Sequence, residues 1–161
     1  MINLIPATPN DIPTIYALAV KIWNHHYVPI VGQEQVDYML AKIYSNEDLT
    51  NQMSEKKHQF YLIRIHDEVK GFLSVSGEED MFIHKFYIDQ DIQGKGYGAH
   101  SFRELLLLYP SVQSFTLTVN RNNYKSINFY FKLGFIIDHV ADFDIGQGYY
   151  MNDFVMKWIR K

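Results

Sequence analysis

A change of hydrophobic period near Gln59 constrains this chain more than any other feature. Before it, apolar residues recur at helical spacing; after it, they alternate or run in short blocks bounded by turn residues. A chain of 161 residues that carries both patterns in succession predicts helices packed on a sheet. Residues 2–5 predict a short strand. Thr8 or Asn10 caps a predicted helix through Ile12, Ile15, Tyr16, Ala19 and Trp23, ending near Asn24. A second helix is predicted from Gln33 through Val36, Tyr38, Met39, Leu40 and Ile43, and a shorter third over 49–53.

Strands are then predicted over 60–66, 70–76 and 81–88, forming an antiparallel meander with turns at Asp67-Glu68 and Gly77-Glu78-Glu79-Asp80. Residues 96–109 read as a helix with Phe102, Leu105, Leu106 and Tyr109 on one stripe, stopped by Pro110. A half-buried strand over 115–119 follows, where Phe, Leu and Val alternate with Thr. A helix over 125–133, ended by Gly134, precedes two strands, 136–143 and 150–158, joined by a turn at 145–148. The expectation is one α/β (α+β) domain over 1–161, with a mixed, mostly antiparallel sheet flanked by helices. The strands ending near Ile88 and beginning near Phe115 should be parallel, with helix 96–109 as the crossover between them.

Composition excludes several classes. Hydrophobic residues make up 47% of the chain and aromatics 16%, which argues for a packed core rich in Tyr and Phe. A formal net charge of -3 offers no global attraction for nucleic acid or an anionic membrane. Without cysteine there is no disulfide, thiolate metal site or cysteine nucleophile. His25 and His26 are adjacent, point apart on a helix and lack a third ligand at recognisable spacing, so no metal is expected. No signal peptide or membrane-length apolar run is seen, and the expectation is a soluble, cytoplasmic protein, with a homodimer left open.

The sharpest local feature is Asp91-Ile92-Gln93-Gly94-Lys95-Gly96-Tyr97-Gly98, between a predicted strand and an amphipathic helix. Alternating glycines let successive backbone N–H groups converge on a phosphate; the helix dipole adds partial positive charge, and Lys95 a full one. A flexible turn would have the same composition. The spacing matches neither the P-loop nor the dinucleotide fingerprint. About thirty residues on, Asn123, Ser126 and Tyr130 share one face of a predicted helix, with Asn123 at its cap. An isolated helical Tyr would be a core aromatic.

Through Gln93, Gly96 and Gly98 the loop resembles the Gln/Arg-x-x-Gly-x-Gly/Ala pattern of GNAT acetyltransferases. Asn123-x-x-Ser126-x-x-Phe129-Tyr130-x-Lys132-Leu133-Gly134-Phe135 resembles the second cofactor motif of the same superfamily. The resemblance covers roughly residues 81–135 by motif and most of the chain by element order. It implies that Gln93, Gly94, Lys95, Gly96, Tyr97 and Gly98 hold the pyrophosphate of acetyl-CoA, that the backbone of Phe86, Tyr87 and Ile88 pairs with the pantetheine arm, that Asn123, Lys125 and Ser126 approach the cofactor, and that Tyr130 stands near its sulfur.

Acetyl transfer to an amine needs a neutral nucleophile, yet an alkyl amine of pKa ~10.4 is only about one part in 2,500 free base at pH 7. That handicap is on the order of 4–5 kcal/mol. His84 is the most attractive base, by its pKa range and its place on the strand expected beside the thioester; it could equally fill the sheet face. Glu78, Glu79, Asp80, His25 and His26 are further candidates, all of residue types common on surfaces. A backbone N–H near Phe86, Tyr87 or Ile88 is the expected oxyanion donor, and Tyr130 the expected acid for the departing thiolate. Trp23, Tyr27 and Tyr38 are the expected acceptor-binding residues, able to stack on a substrate or attract an ammonium, although each alone reads as core packing. The expected reaction is direct transfer to a small-molecule amine, including a polyamine. Alternatives are a protein N-terminus or lysine as acceptor, or a non-catalytic acyl-CoA-binding module.

Overall fold

The computed structural model describes every residue from Met1 to Lys161. Seven strands follow the order β1-β2-β3-β4-β5-β7-β6. They are β1 (Ile2–Pro6), β2 (Gln59–Ile65), β3 (Glu68–Gly77), β4 (Asp80–Ile88), β5 (Ser114–Asn120), β6 (Ile136–Gly146) and β7 (Tyr149–Ile159). The helices are α1 (Ile12–His26), α2 (Val28–Val31), α3 (Gln33–Ile43), α4 (Asn46–Ser54), α5 (Tyr97–Leu108) and α6 (Tyr124–Leu133). Two compact units emerge: Met1–Ser76 with Lys85–Pro110, and Gly77–His84 with Ser111–Lys161.

In the first unit, Thr8 and Asp11 close a capping box around a 3-10 turn at Pro9–Asp11, so α1 begins at Ile12. Its buried residues, Ile12, Ile15, Ala19, Ile22 and Trp23, fall on one helical stripe. The helix runs to His26, two residues past the expected end, because His25 and His26 are good last-turn residues and not breakers. The short α2 was not expected, since four residues containing Pro29 carry no periodic signal. Antiparallel β1, β2 and β3 pair from Ile2↔Ile65 and from Gln59↔Val75. Phe60, Tyr61, Leu62 and Ile63 are all buried because both faces of β2 are covered. The ammonium of Lys85 lies over the Phe60 ring on one side, and the Tyr61 hydroxyl bonds that of Tyr109 at 2.8 Å on the other. A Cβ at Gly71 would overlap the carbonyl oxygen of Tyr87, so only glycine lets β3 lie this close to β4.

In the second unit, β4 and β5 are parallel, in the register Asp80↔Ser114, Met81↔Phe115 and Phe82↔Thr116. β7 is antiparallel to β5 from Ser114↔Ile159 to Asn120↔Asp153, and β6 is antiparallel to β7 at the sheet edge. Gly134, at φ 100, ends α6 in the left-handed conformation the sequence predicts, with Phe135 N–H bonded to Tyr130 O at 3.0 Å. No helix is long and apolar enough to cross a membrane.

Candidate active site

The glycine loop is open at two of its three glycines. Gly94 and Gly96 have φ of 82 and 79, and a Cβ at either would meet nothing within 4 Å, so the loop is open at both. Gly96 precedes α5, whose first-turn N–H groups, from Tyr97, Gly98 and Ala99, have no intrahelical acceptor. The Gln93 amide donates to Ile88 O at 3.0 Å, tying the loop to the end of β4. Lys95 is exposed, and the Tyr97 hydroxyl lies 3.5 Å from His66 Nε2. Such a cradle fits a diphosphate.

Two carboxylates stand just before this loop, where they would repel an anion. Asp89, 5% exposed, caps the 3-10 turn Gln90–Ile92 by accepting from Asp91 N–H. Lys21 on α1 offsets both charges, with Nζ 2.7 Å from Asp89 and 2.6 Å from Asp91. Burial pushes the Asp89 carboxyl up, but the Lys21 hydrogen bond and the Asp91 N–H outweigh it and hold the pKa below the ordinary value. We expect Lys21→Met to weaken acetyl-CoA binding roughly tenfold at low salt, with the deficit shrinking as salt is raised. Calorimetry at two ionic strengths checks this; Lys21→Arg should retain affinity.

β4 continues into a ring cluster within the first unit. Tyr87 lies 5.6 Å from Phe72, 6.0 Å from Trp23 and 6.3 Å from Tyr27, with Trp23 and Tyr27 at 4.4 Å from each other. The fully buried Tyr44 joins at 5.9 Å from Trp23, and desolvation raises its phenol pKa. Of the three expected acceptor residues, Trp23 and Tyr27 are thus brought together. Tyr38 sits on α3 under the Lys42 ammonium, 5.5 Å away. Phe86 is half-buried and Ile88 buried.

Lys85, on the same strand, is only 6% exposed. Its Nζ donates to Gln52 Oε1 at 2.6 Å and lies 5.4 Å from the Tyr44 ring, so it has a hydrogen bond but no counter-charge there. Burial, helped by Lys56, lowers its pKa from 10.5 to about 8. The folded pKa lies below the unfolded one, so the native state sheds the proton first. Stability should therefore rise with pH between about 8 and 10.5, by on the order of 3 kcal/mol in total. Lys85→Met should remove this rise, read as urea midpoints against pH.

In the second unit, Asn123 caps α6 by accepting from Ser126 N–H at 3.3 Å. Lys125 is exposed, and Tyr130, 9% exposed, packs on Phe129 at 5.3 Å and Phe135 at 5.4 Å. His84 is half-buried with its ring 4.8 Å from Phe82. Asp80 accepts from the Ser114 hydroxyl and Glu79 O accepts from Gln113 N–H at 2.7 Å, so this turn anchors the start of β5. Glu78 and Glu79 are exposed, and His26 lies edge-on to Tyr27 at 4.9 Å. No cluster of His, Cys, Asp or Glu could hold a metal ion.

The family model of the acetyltransferase (GNAT) family matches residues 17–135. This chain belongs to that family. It is an acetyl-CoA-dependent N-acetyltransferase with acetyl-CoA as co-substrate. A relative from Salmonella typhimurium named peptidyl-lysine N-acetyltransferase YjaB is 28% identical over 64% of this chain and 68% of its own. The PaiA N-acetyltransferase of Thermoplasma acidophilum, solved in complex with coenzyme A, superposes with a TM-score of 0.82 over 99% of each chain at 20% identity. Ard1 from Thermoplasma volcanium gives a TM-score of 0.72 over 98% of this chain and 97% of its own, at 22% identity.

Proposed function

We propose that the chain acetylates a primary amine of a small molecule, a polyamine among the candidates, by direct attack of the neutral amine on the thioester. The observation that carries this reading is the ring cluster on the first unit. Trp23, Tyr27 and Tyr87 have ring centroids within 6.3 Å of one another, with Trp23 buried and Tyr27 and Tyr87 half-buried above it, a composition that attracts an alkylammonium. The loop from Gln93 to Gly98 takes the pyrophosphate, Phe86, Tyr87 and Ile88 take the pantetheine arm, and Asn123, Lys125 and Ser126 make further cofactor contacts. Tyr130 gives its proton to the leaving thiolate. His84 is the base inferred from sequence.

A second reading, acetylation of a protein lysine, is supported by the name of the Salmonella typhimurium relative. A lysine side chain is itself a primary alkylamine, so the chemistry is shared and only the body attached to it differs. Mass spectrometry of the purified chain with acetyl-CoA, an amine panel and lysine peptides decides between them. Acetylated small amines support the first reading and acetylated peptides the second. Cofactor bound with no turnover on any acceptor would overturn both.

A further inference from the structure

Lys85 is the only buried lysine, and nothing around it carries a negative charge. Its hydrogen bond goes to the neutral amide of Gln52, and the other groups against Nζ are the rings of Tyr44 and Phe60, at 5.4 and 5.5 Å. Burial raises the Tyr44 phenol above its ordinary value, so it stays neutral. The half-buried His58 is lowered to about 4, by burial first and then by Lys85 and Lys56, so it is neutral at pH 7. Lys56 only adds positive charge. A lysine is rarely buried without a counter-ion, because the desolvated charge is costly, and this one still holds its proton at pH 7. Such a charge asks for a use.

Its position relative to the ring cluster is fixed by Tyr44. Lys85 and Tyr87 are two apart on β4 and so share a face of the strand. Tyr44 lies under the Lys85 ammonium, 5.9 Å from Trp23 and 6.1 Å from Phe72, and Phe72 in turn lies 5.6 Å from Tyr87. All of these residues belong to the first unit. The two steps through Tyr44 set an upper limit of about 11 Å between the ammonium and the centre of the Trp23 ring. A ligand reaches the half-buried Tyr27 and Tyr87, whereas Lys85 is shut behind Tyr44. For a second positive charge docked on these rings, at an effective dielectric constant of about 20, the repulsion changes an equilibrium by on the order of tenfold.

We propose that the buried Lys85 charge drives the proton off an acceptor amine docked on Trp23, Tyr27 and Tyr87, so that the ring cluster presents it as the free base. This rests on the amine-acetyltransferase reading above. The rings attract the ammonium, and Lys85 opposes only the charged form. Docking is weakened, and the free-base fraction of the docked amine rises by about the same factor. That recovers about one of the roughly three powers of ten by which an alkyl amine is handicapped at pH 7. The ammonium proton leaves to solvent; the freed nitrogen forms the C–N bond as the C–S bond breaks, and the thiolate takes the Tyr130 proton. The second nitrogen proton, lost as the amide forms, restores the phenol. Lys85 itself touches neither acceptor nor thioester. Because it sheds its own proton near pH 8, the effect is present below that pH and fades above it.

The test is kcat and KM for an alkylamine that the parent acetylates, measured on the parent and on Lys85→Met with acetyl-CoA saturating and chemistry rate-limiting. At pH 6.5 the variant should show kcat and KM both lowered roughly tenfold, leaving kcat/KM within about threefold. By pH 9.5, where Lys85 is neutral in the parent, the two should agree within about twofold. A kcat that falls at every pH alike, with KM unchanged or raised, marks a structural support and overturns the proposal. So do parental kcat and KM at pH 6.5. If Lys85→Met does not fold, the parent decides by calorimetry with the N,N,N-trimethyl analogue of the amine, whose charge is fixed. Its affinity should rise roughly fivefold from pH 7 to 9.5, and a constant affinity overturns the proposal. His26, edge-on to Tyr27, adds little over that range, since an imidazole is charged chiefly below it. No turnover by the parent on any amine removes the reading beneath the proposal, and the proposal with it; turnover that Lys85→Met leaves unchanged removes the proposal alone.

Discussion

Tyr130→Phe should lower turnover roughly 10²–10⁴-fold while leaving acetyl-CoA affinity within a few-fold. The substitution keeps the ring, and the ring is what packs on Phe129 and Phe135. The hydroxyl is what leaves. A Tyr that merely filled the core would lose at most a hydrogen bond of about 0.5–1.5 kcal/mol in stability, with turnover hardly altered. A general acid acts instead when charge builds on sulfur, so its loss appears in kcat and not in binding. At 9% exposure Tyr130 suits both roles equally well, and only kinetics separates them. Steady-state rates with chemistry shown to be rate-limiting, beside a thermal melt, make the measurement. Parental turnover would leave Tyr130 as a wall residue and give the thiolate its proton from water.

The element order was legible because each segment carries its period and its own punctuation. Thr8 with Asp11, Ser45 with Asp48, Asn123 with Ser126 and the glycine at 134 act as caps or stops in the structure, and all are visible as residue types. The misses have local causes. The turn between β2 and β3 falls on His66 and Asp67, at φ 49 and 68, and not on Asp67 and Glu68. Asp tolerates the left-handed region, but nothing in the residue types fixes such a turn to one register. The closeness of β3 to β4 at Gly71 was equally hidden, because a glycine within an apolar run does not say what approaches it.

For the proposed site, motif spacing pointed to the loop and the α6 face, but not to the groups whose place is set by tertiary structure. Lys21 meets Asp89 and Asp91 across about seventy residues of sequence, a pairing no local pattern encodes. Lys85 and Asp153 did leave a trace: each is a charge at a strand position that alternation turns inward, beside Met81 and Ile83 in β4 and Val155 in β7. The missing step was to ask what a buried Lys or Asp would cost without an opposite charge beside it. Tyr44 left no trace, since Tyr on an inward face reads as core whether or not it borders a ligand, and Tyr87 was expected there for its backbone and not for its ring.

Gly96→Glu should weaken acetyl-CoA binding by on the order of 10²–10⁴-fold, with a much smaller effect on folding. At φ 79 the residue sits in the left-handed region, so any side chain adds strain of roughly 1–2 kcal/mol at this one position. Space is not the obstacle, because a Cβ here meets nothing within 4 Å. The emptiness is what would hold the diphosphate, and a glutamate would fill it with bulk and negative charge at the positive end of α5. Losing two charge-assisted bonds of about 1.5–3 kcal/mol each gives the stated range. Gly96→Ala separates the causes, carrying the strain and little else, and should keep most of the affinity. The carboxylate would also stand at the positive end of the α5 dipole, so the melt of the Glu variant should fall less than strain alone suggests. Calorimetric titration of both variants with acetyl-CoA is the measurement. An affinity for the Glu variant equal to that of the parent would mean that the pyrophosphate binds elsewhere and that the loop is only a turn.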